Sequence, residues 1–383
     1  MMIPKDPEVS VMSFTRREFG RLALASVPAA AMFENPLFAQ ARPNSLISGV
    51  QLGTITYSFR SMPDQSAEGI LKYTVESGIS AVELMGGPVN DYARKRTGFV
   101  PPAQAGRGGG AGGGGRGGRG GEPPARTASW NGTACAAAQP GTDPVTGTEP
   151  LTAAVAGGRG GAPTPEAIAN AEAERKWRQS LSMDIFKDLR KMYNDAGVSI
   201  YAVKDVRMDT DEELEYTFAV AEALGANHVT LELPSGPTAG ATLKRLGDWG
   251  ARKKIYVAYH THAQGSMTAF DEAFRISPGN TANVDLGHMV AGGNRGGTPI
   301  DFLTKFHART SSFHLKDRTL PQNCALNLPW GTGETPIRDI LRLVRTNRWN
   351  IPGSIELEYQ IPEGSDAVKE VAKCVEYCRR ALA

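Results

Sequence analysis

The sequence predicts an α/β fold, a closed (β/α)8 barrel of parallel strands each followed by an amphipathic helix. Three observations predict it. Apolar runs of strand length alternate with runs of helical period in eight β→α steps. Once two atypical segments are set aside, about 270 residues remain, enough for one large α/β domain. Polar and ionisable residues recur where the predicted strands end, and in such a barrel the C-terminal strand ends carry the chemistry.

The first atypical segment is residues 1–41. It carries Arg16–Arg17, then Phe19, then a moderately apolar run from Leu22 to Phe33 interrupted by Pro28. That run is short for a membrane span, which needs about 20 apolar residues. Ala39-Gln40-Ala41 fits a small-residue cleavage site. The segment resembles a twin-arginine export signal, which implies a folded protein delivered to the periplasm or the cell exterior. The second segment, 98–163, includes "AGRGGGAGGGGRGGRGG" and continues rich in Pro, Ala and Thr. Such sequence buries too little apolar surface to offset its ordering entropy, so a disordered insertion is expected. Loop closure costs grow only logarithmically with length, which a barrel tolerates. The barrel is therefore placed at 46–383, interrupted by 98–163.

Each element has its own warrant. "GVQLGTITYS" (49–58) reads as the first strand, and "SAEGILKYTVESG" as a helix stopped by Gly78. "ISAVELM" (79–85) is the second strand. Thr164-Pro165 opens a helical stretch long enough for two helices before the third strand, "VSIYAVKDV" (198–206). "DTDEELEYTFAVAEALG" places Leu214, Phe218, Ala221 and Leu224 on one helical face and ends at Gly225. Strands follow at 227–234, 254–263, 280–288, 310–317 and 353–360, and the last two helices lie in "TPIRDILRLVRTN" and "SDAVKEVAKCVEYCRRALA". Apolar strands alternating with amphipathic helices give a parallel sheet covered by helices. No G-x-G-x-x-G follows the first strand, and "GTGE" (331–334) reads as a turn before a helix.

Composition narrows function. Hydrophobic residues make up 40% and charged residues 21%, with net charge +2, so nothing points to nucleic acid or to a membrane surface beyond the export signal. Four cysteines are too few and too scattered for a disulfide framework, and Cys374 and Cys378, four apart, read as core residues of a helix.

The predicted strand ends carry Glu83, Glu232, His260, His262, Asp285, His288, His314, Lys316, Glu356 and Glu358, including four of the six histidines. Side chains at i and i+2 share a face, so His260/His262, His314/Lys316 and Glu356/Glu358 form same-side pairs. Carboxylates and imidazoles together suit a borderline divalent metal. A cation also relieves the repulsion and desolvation of several acids gathered at an apolar mouth. Taken singly, Glu83 reads as either a substrate contact or an ion-pair member, and Glu358 as a partner for Lys316.

"AYHTHA", "NVDLGHMVAGG", "SFHLKDR" and "SIELEY", in this order, resemble the xylose isomerase-like TIM-barrel superfamily, the sugar phosphate isomerase/epimerase group. The resemblance runs from about residue 50 to the end, as a barrel of this class would. It implies metal ligation by Asp285 of "D-x-G-H", His314 of "H-x-K-D" and Glu356, the first glutamate of the last strand. The fourth ligand is usually a glutamate. Where epimerases carry it on the fifth strand, this sequence has His260, and Glu232 in "TLELP" takes the role, with His260 a substrate contact or fifth ligand. The expected ligands are Glu232, Asp285, His314 and Glu356. The expected catalytic groups are Glu356, Glu232, His260, His262 and Lys316.

The cofactor implied is a divalent ion (Mn, Co, Zn, Mg or Fe). The partner implied is a sugar, keto-sugar or polyol, isomerised, epimerised or dehydrated after proton abstraction beside a carbonyl. Homo-oligomerisation is left open. Two other readings are an endonuclease IV-like phosphodiesterase, disfavoured by the near-neutral charge and the few histidines, and a non-catalytic sugar-binding barrel.

Overall fold

The computed structural model describes residues 42–100 and 164–383, with a short antiparallel ladder pairing Ser129–Trp130 with Thr133–Ala134. The expected export signal and the remainder of the expected insertion lie outside the described residues. Among the described residues eight parallel strands form the wall: β1 (Val50–Ile55), β2 (Ala81–Met85), β3 (Ser199–Lys204), β4 (His228–Glu232), β5 (Tyr256–His260), β6 (Asn280–Asp285), β7 (Thr310–Leu315) and β8 (Gly353–Ile355). Each pairs with the next in sequence, and β8 returns to β1, so the sheet closes into a (β/α)8 barrel. A two-residue strand, Leu46–Ile47, folds back antiparallel on β1.

The helices are α1 (Ala67–Glu76), α2 (Gly86–Thr97), α3 (Pro165–Gln179), α4 (Asp184–Asp195), α5 (Asp211–Leu224), α6 (Ala239–Lys253), α7 (Asp271–Ile276), α8 (Leu286–Ala291), α9 (Pro299–Phe306), α10 (Ile337–Asn347) and α11 (Ala367–Leu382). Their ends follow from sequence. The Ser66, Thr164 and Thr210 hydroxyls accept from the amides of Gly69, Ala167 and Glu213, satisfying otherwise orphan donors. The long stretch before β3 is two helices, α3 and α4. Leu214, Phe218, Ala221 and Leu224 are buried on α5, which ends at Gly225 with φ +78°. Cys374 and Cys378 are buried free thiols on α11, whereas Cys324 is disulfide-bonded. No helix among the described residues is long and apolar enough to cross a membrane.

The apolar core lies between the strands and the helices, where Val82, Leu84, Val229, Val257, Val284 and Phe313 meet Phe186, Phe218, Phe302 and Ile340. The bore of the barrel is different. Glu83, Thr230, Asn283, Ser312 and His314 meet across it in hydrogen bonds from four strands. Strand register sets these groups at matched heights: Glu232 pairs with His260, His260 with Asn283, and Asp285 with His314.

Two strand ends differ from expectation. β6 stops at Asp285, because the Asp285 carboxylate accepts the His288 amide and caps α8, so His288 sits on a helix. Glu356 and Glu358 lie just past the ladder of β8.

Candidate metal centre

The C-terminal ends of β5 to β8 converge. Among the described residues, His260, Asp285, His314 and Glu356 each offer a donor atom, and these atoms lie within 4.8 Å of one another. Three of the four expected ligands are brought together there. The fourth, Glu232, lies outside the group: its Oε1 accepts from Lys204 Nζ at 2.9 Å, and its Oε2 lies 3.7 Å from His262 Nδ1. His260 stands in the group in its place. A second grouping, His260, His262 and His288, shares that histidine.

His314 is fully buried between two carboxylates. Its Nε2 is 2.8 Å from Glu83 Oε2, and its Nδ1 is 2.7 Å from Glu356 Oε2 and 3.9 Å from Asp285 Oδ2. Burial pulls its pKa down, but Glu83 and Glu356 outweigh it and raise it to about 10. Glu83 has the mirror-image environment. Burial pushes it up, while His314 and Lys204 hold it at about 2.

Lys316 is the other compensating charge. Its Nζ lies 2.6 Å from Glu358 Oε2, 2.9 Å from Glu356 Oε2 and 3.0 Å from Asp285 Oδ2. Burial lowers the Lys316 pKa, yet these three carboxylates raise it above its ordinary value. Glu356 is held well below the usual carboxylate range, as Lys316 and His314 outweigh burial. Asp285 goes the other way: it is fully buried, and burial wins. Its Oδ2 accepts no aligned hydrogen bond among the described residues. Gly287 makes room for Lys316, since a Cβ there would lie 2.3 Å from Lys316 Cγ.

These residues fit a divalent ion. Donors at about 2.0–2.2 Å from a common centre lie within roughly 4 Å of each other, a small contraction from the arrangement here. Asp285 Oδ2, paired with Lys316 but without an aligned hydrogen bond, can serve as a ligand, and two carboxylates with two imidazoles suit Mn, Fe, Co or Zn. Such an ion competes with Lys316 for Asp285 Oδ2 and Glu356 Oε2.

The remaining expected residues have definite places. His260 is buried, with Nδ1 3.0 Å from Asn283 Oδ1, and burial with Lys204 pulls its pKa down to about 3. The His262 side chain is 43% exposed, within reach of solvent. His288 is buried between Lys316, 2.9 Å from Nε2, and Arg318, 2.6 Å from Nδ1. Asp317 accepts the amides of Gly331, Gly333 and Thr335, so the "GTGE" loop folds around a carboxylate of its own chain. Beside Glu358 lies a cavity of about 290 Å³ lined by Ser58, Arg60, Leu357 and Tyr359, near the lower end of the roughly 300–1,000 Å³ usual for ligand pockets.

Sequence reasoning missed Lys204 and Asn283. A signal existed for both. Lys204 ends an apolar run, as the other site residues do. Asn283 stands two residues before Asp285 and so shares its face.

No family model matches the sequence, and no curated protein matches it. Solved structures do match. A xylose isomerase domain protein from Alicyclobacillus acidocaldarius superposes with a TM-score of 0.50 at 13% identity, covering 87% of this chain and 99% of that one. A sugar phosphate isomerase/epimerase from Parabacteroides distasonis gives a TM-score of 0.49 at 15% identity, covering 87% and 97%. At such identity the first likeness speaks to fold, in agreement with the closed eight-stranded ring. The chain therefore has the fold of the xylose isomerase-like TIM barrels.

Proposed function

We propose that the protein is a divalent-metal-dependent isomerase, epimerase or related lyase that removes a proton beside the carbonyl of a sugar, keto-sugar or polyol-derived substrate. The observation that carries this reading is the convergence of His260, Asp285, His314 and Glu356 at the barrel mouth. A divalent ion held there supplies Lewis acidity, which makes the C–H next to a carbonyl more acidic.

The chain's own residues handle the proton. Glu232 borders the donor group, and its Oε2 accepts no hydrogen bond among the described residues. Burial raises its pKa, but His260 and Lys204 outweigh this and hold it at about 2, so it is ionised at neutral pH. It accepts the substrate proton on Oε2. A carboxylate of low pKa holds a proton only briefly, which gives a role to His262, 3.7 Å away and open to solvent. Lys316 faces the developing negative charge on the substrate oxygen. Proton return on the opposite face gives epimerisation, return to the adjacent carbon gives isomerisation, and loss of a β-hydroxyl gives dehydration. The cavity beside Glu358 supports a ligand the size of a single sugar ring.

Export through the Arg16–Arg17 segment belongs to the same proposal. The disulfide at Cys324 supports it, because disulfides persist in oxidising compartments. Outside the cytoplasm, free or oxidised sugars and glycosides are the available substrates rather than sugar phosphates.

One preparation tests both parts. Protein recovered from outside the cytoplasm is expected to begin at Arg42, to contain a stoichiometric divalent metal, and to incorporate solvent deuterium next to the carbonyl of ketoses or 3-keto-sugars. Asp285→Ala and His314→Ala are expected to lose metal and exchange activity while keeping native circular dichroism. Full metal occupancy in either variant overturns the site, and a protein retained inside the cell overturns only the export.

A further inference from the structure

Through the donor group and beneath it, four buried side chains, His314, Glu83, Asn283 and His260, form a chain of hydrogen bonds. Glu83 has no exposure to solvent. Its Oε1 accepts from the Thr230 hydroxyl at 2.6 Å. Its Oε2 faces His314 Nε2 at 2.8 Å and Asn283 Nδ2 at 3.2 Å. An ionised carboxylate can only accept, so Asn283 must turn its NH2 toward Glu83. That NH2 also donates to Ser312 Oγ at 2.6 Å. The Asn283 carbonyl oxygen is then left for His260, 3.0 Å from Nδ1. An amide oxygen only accepts, so the His260 proton resides on Nδ1 and its lone pair on Nε2. By the same logic His314, between two carboxylates, carries a proton on each nitrogen in metal-free protein: the one on Nε2 faces Glu83, and the one on Nδ1, toward Glu356 and Asp285, is the one a bound cation would displace.

We propose that Glu83 and Asn283 are a positioning pair that orients both site histidines, fixing the His260 tautomer and holding the His314 proton on Nε2, so that His260 Nε2 and His314 Nδ1 aim at a common point. The proposal rests on the metal reading of the site only for its purpose; the ring orientations and the His260 tautomer are a property of the protein alone. Glu83 acts directly on His314 and, through the orientation of one amide, on His260, which it does not touch. Outer-shell partners of this kind fix ring orientation and raise ligand basicity, and losing one typically costs about 10–100-fold in metal affinity.

The test is ¹⁵N NMR of the histidine rings in metal-free protein, together with Co(II) titration against a competing chelator. Wild type is expected to show His260 protonated on Nδ1. Glu83→Gln keeps the volume but offers an NH2 that can face Asn283. The amide is then free to turn, the His260 tautomer is expected to become mixed, and Co(II) affinity is expected to fall 10–100-fold with an altered visible spectrum. Wild-type His260 protonated on Nε2, or a folded Glu83→Gln with the wild-type tautomer and affinity, overturns the proposal. Wild type that binds no Co(II), but shows the expected His260 tautomer and its loss in Glu83→Gln, overturns the metal reading and leaves the positioning pair standing.

Discussion

His228, the first residue of β4, is wholly buried, with Nε2 2.9 Å from Ser312 Oγ and Nδ1 beside Asn227 Oδ1. Burial pulls its pKa down to about 4, assisted by His314 and opposed by Glu83. The sign follows from proton uptake. Between pH 6.5 and 4 the unfolded chain binds a proton at this position that the folded chain refuses, so stability is present above pH 6.5 and lost as pH falls toward 4. A depression of this size corresponds to about 3 kcal/mol. Urea unfolding of metal-free protein at pH 7 and pH 4 is expected to show a smaller acid loss in His228→Gln than in wild type, by an amount of that order. Equal losses would mean that His228 is protonated without cost in the folded state. His314 has the opposite sign, since its pKa is raised and its stabilising contribution is lost as pH rises above 6.5 toward 10.

At the level of elements, the β6–α8 junction carries several tasks in four residues. Asp285 ends the strand, caps the helix through the His288 amide and offers a donor to the mouth. Gly287 lets the Lys316 backbone and side chain pass, with a Cβ position 2.6 Å from Lys316 O as well as 2.3 Å from its Cγ. Backbone cannot yield as a flexible side chain can, so Gly287→Ala is expected to cost about 1–3 kcal/mol by overpacking and to displace the ammonium. Gly87→Ala on α2 meets nothing within 4 Å and is expected to be neutral or stabilising by up to about 1 kcal/mol. Denaturant unfolding of the two variants distinguishes them, and equal stabilities would sink the close-approach argument.

This junction also shows what sequence could and could not reveal. All eight strands were legible as apolar runs, and Asp285, His314 and Glu356 were legible as polar interruptions at their ends. The "DLGH" run reads as strand in sequence because its apolar neighbours mask a cap that only the Asp285–His288 contact reveals. The choice between Glu232 and His260 was not legible either. It depends on Lys204, which reaches Glu232 from the neighbouring strand β3, and partner choice between adjacent strands is written in neither strand alone. Glu83, one of two readings in sequence, is decided by packing, because its contacts come from residues 147, 200 and 231 positions away.

For the molecule as a whole, the long insertion and the barrel meet at a defined place. Phe99 stacks on Trp177 with ring centroids 4.6 Å apart, and the Trp177 indole donates to Thr97 Oγ1 at 3.0 Å. This contact ties the end of α2 to the end of α3 through described residues only. Pro165 lies twelve residues before Trp177, about 18 Å along a helix at 1.5 Å per residue. Ten extended residues span more than that at about 3.3 Å each. Replacing 101–163 with a ten-residue Gly/Ser linker is expected to give a barrel that still unfolds cooperatively and keeps the metal affinity of the parent. An aggregated or molten product would show that the insertion is needed for the barrel to form.

Closure of the sheet from β8 onto β1 has a further consequence. An open sheet of eight strands ends in two rows of unsatisfied backbone groups, ready to recruit strands from other copies and grow into aggregates. A ring has no such rims. The charged bore can therefore carry its acids and imidazoles, with whatever stability they forfeit, without offering other molecules a template to stick to.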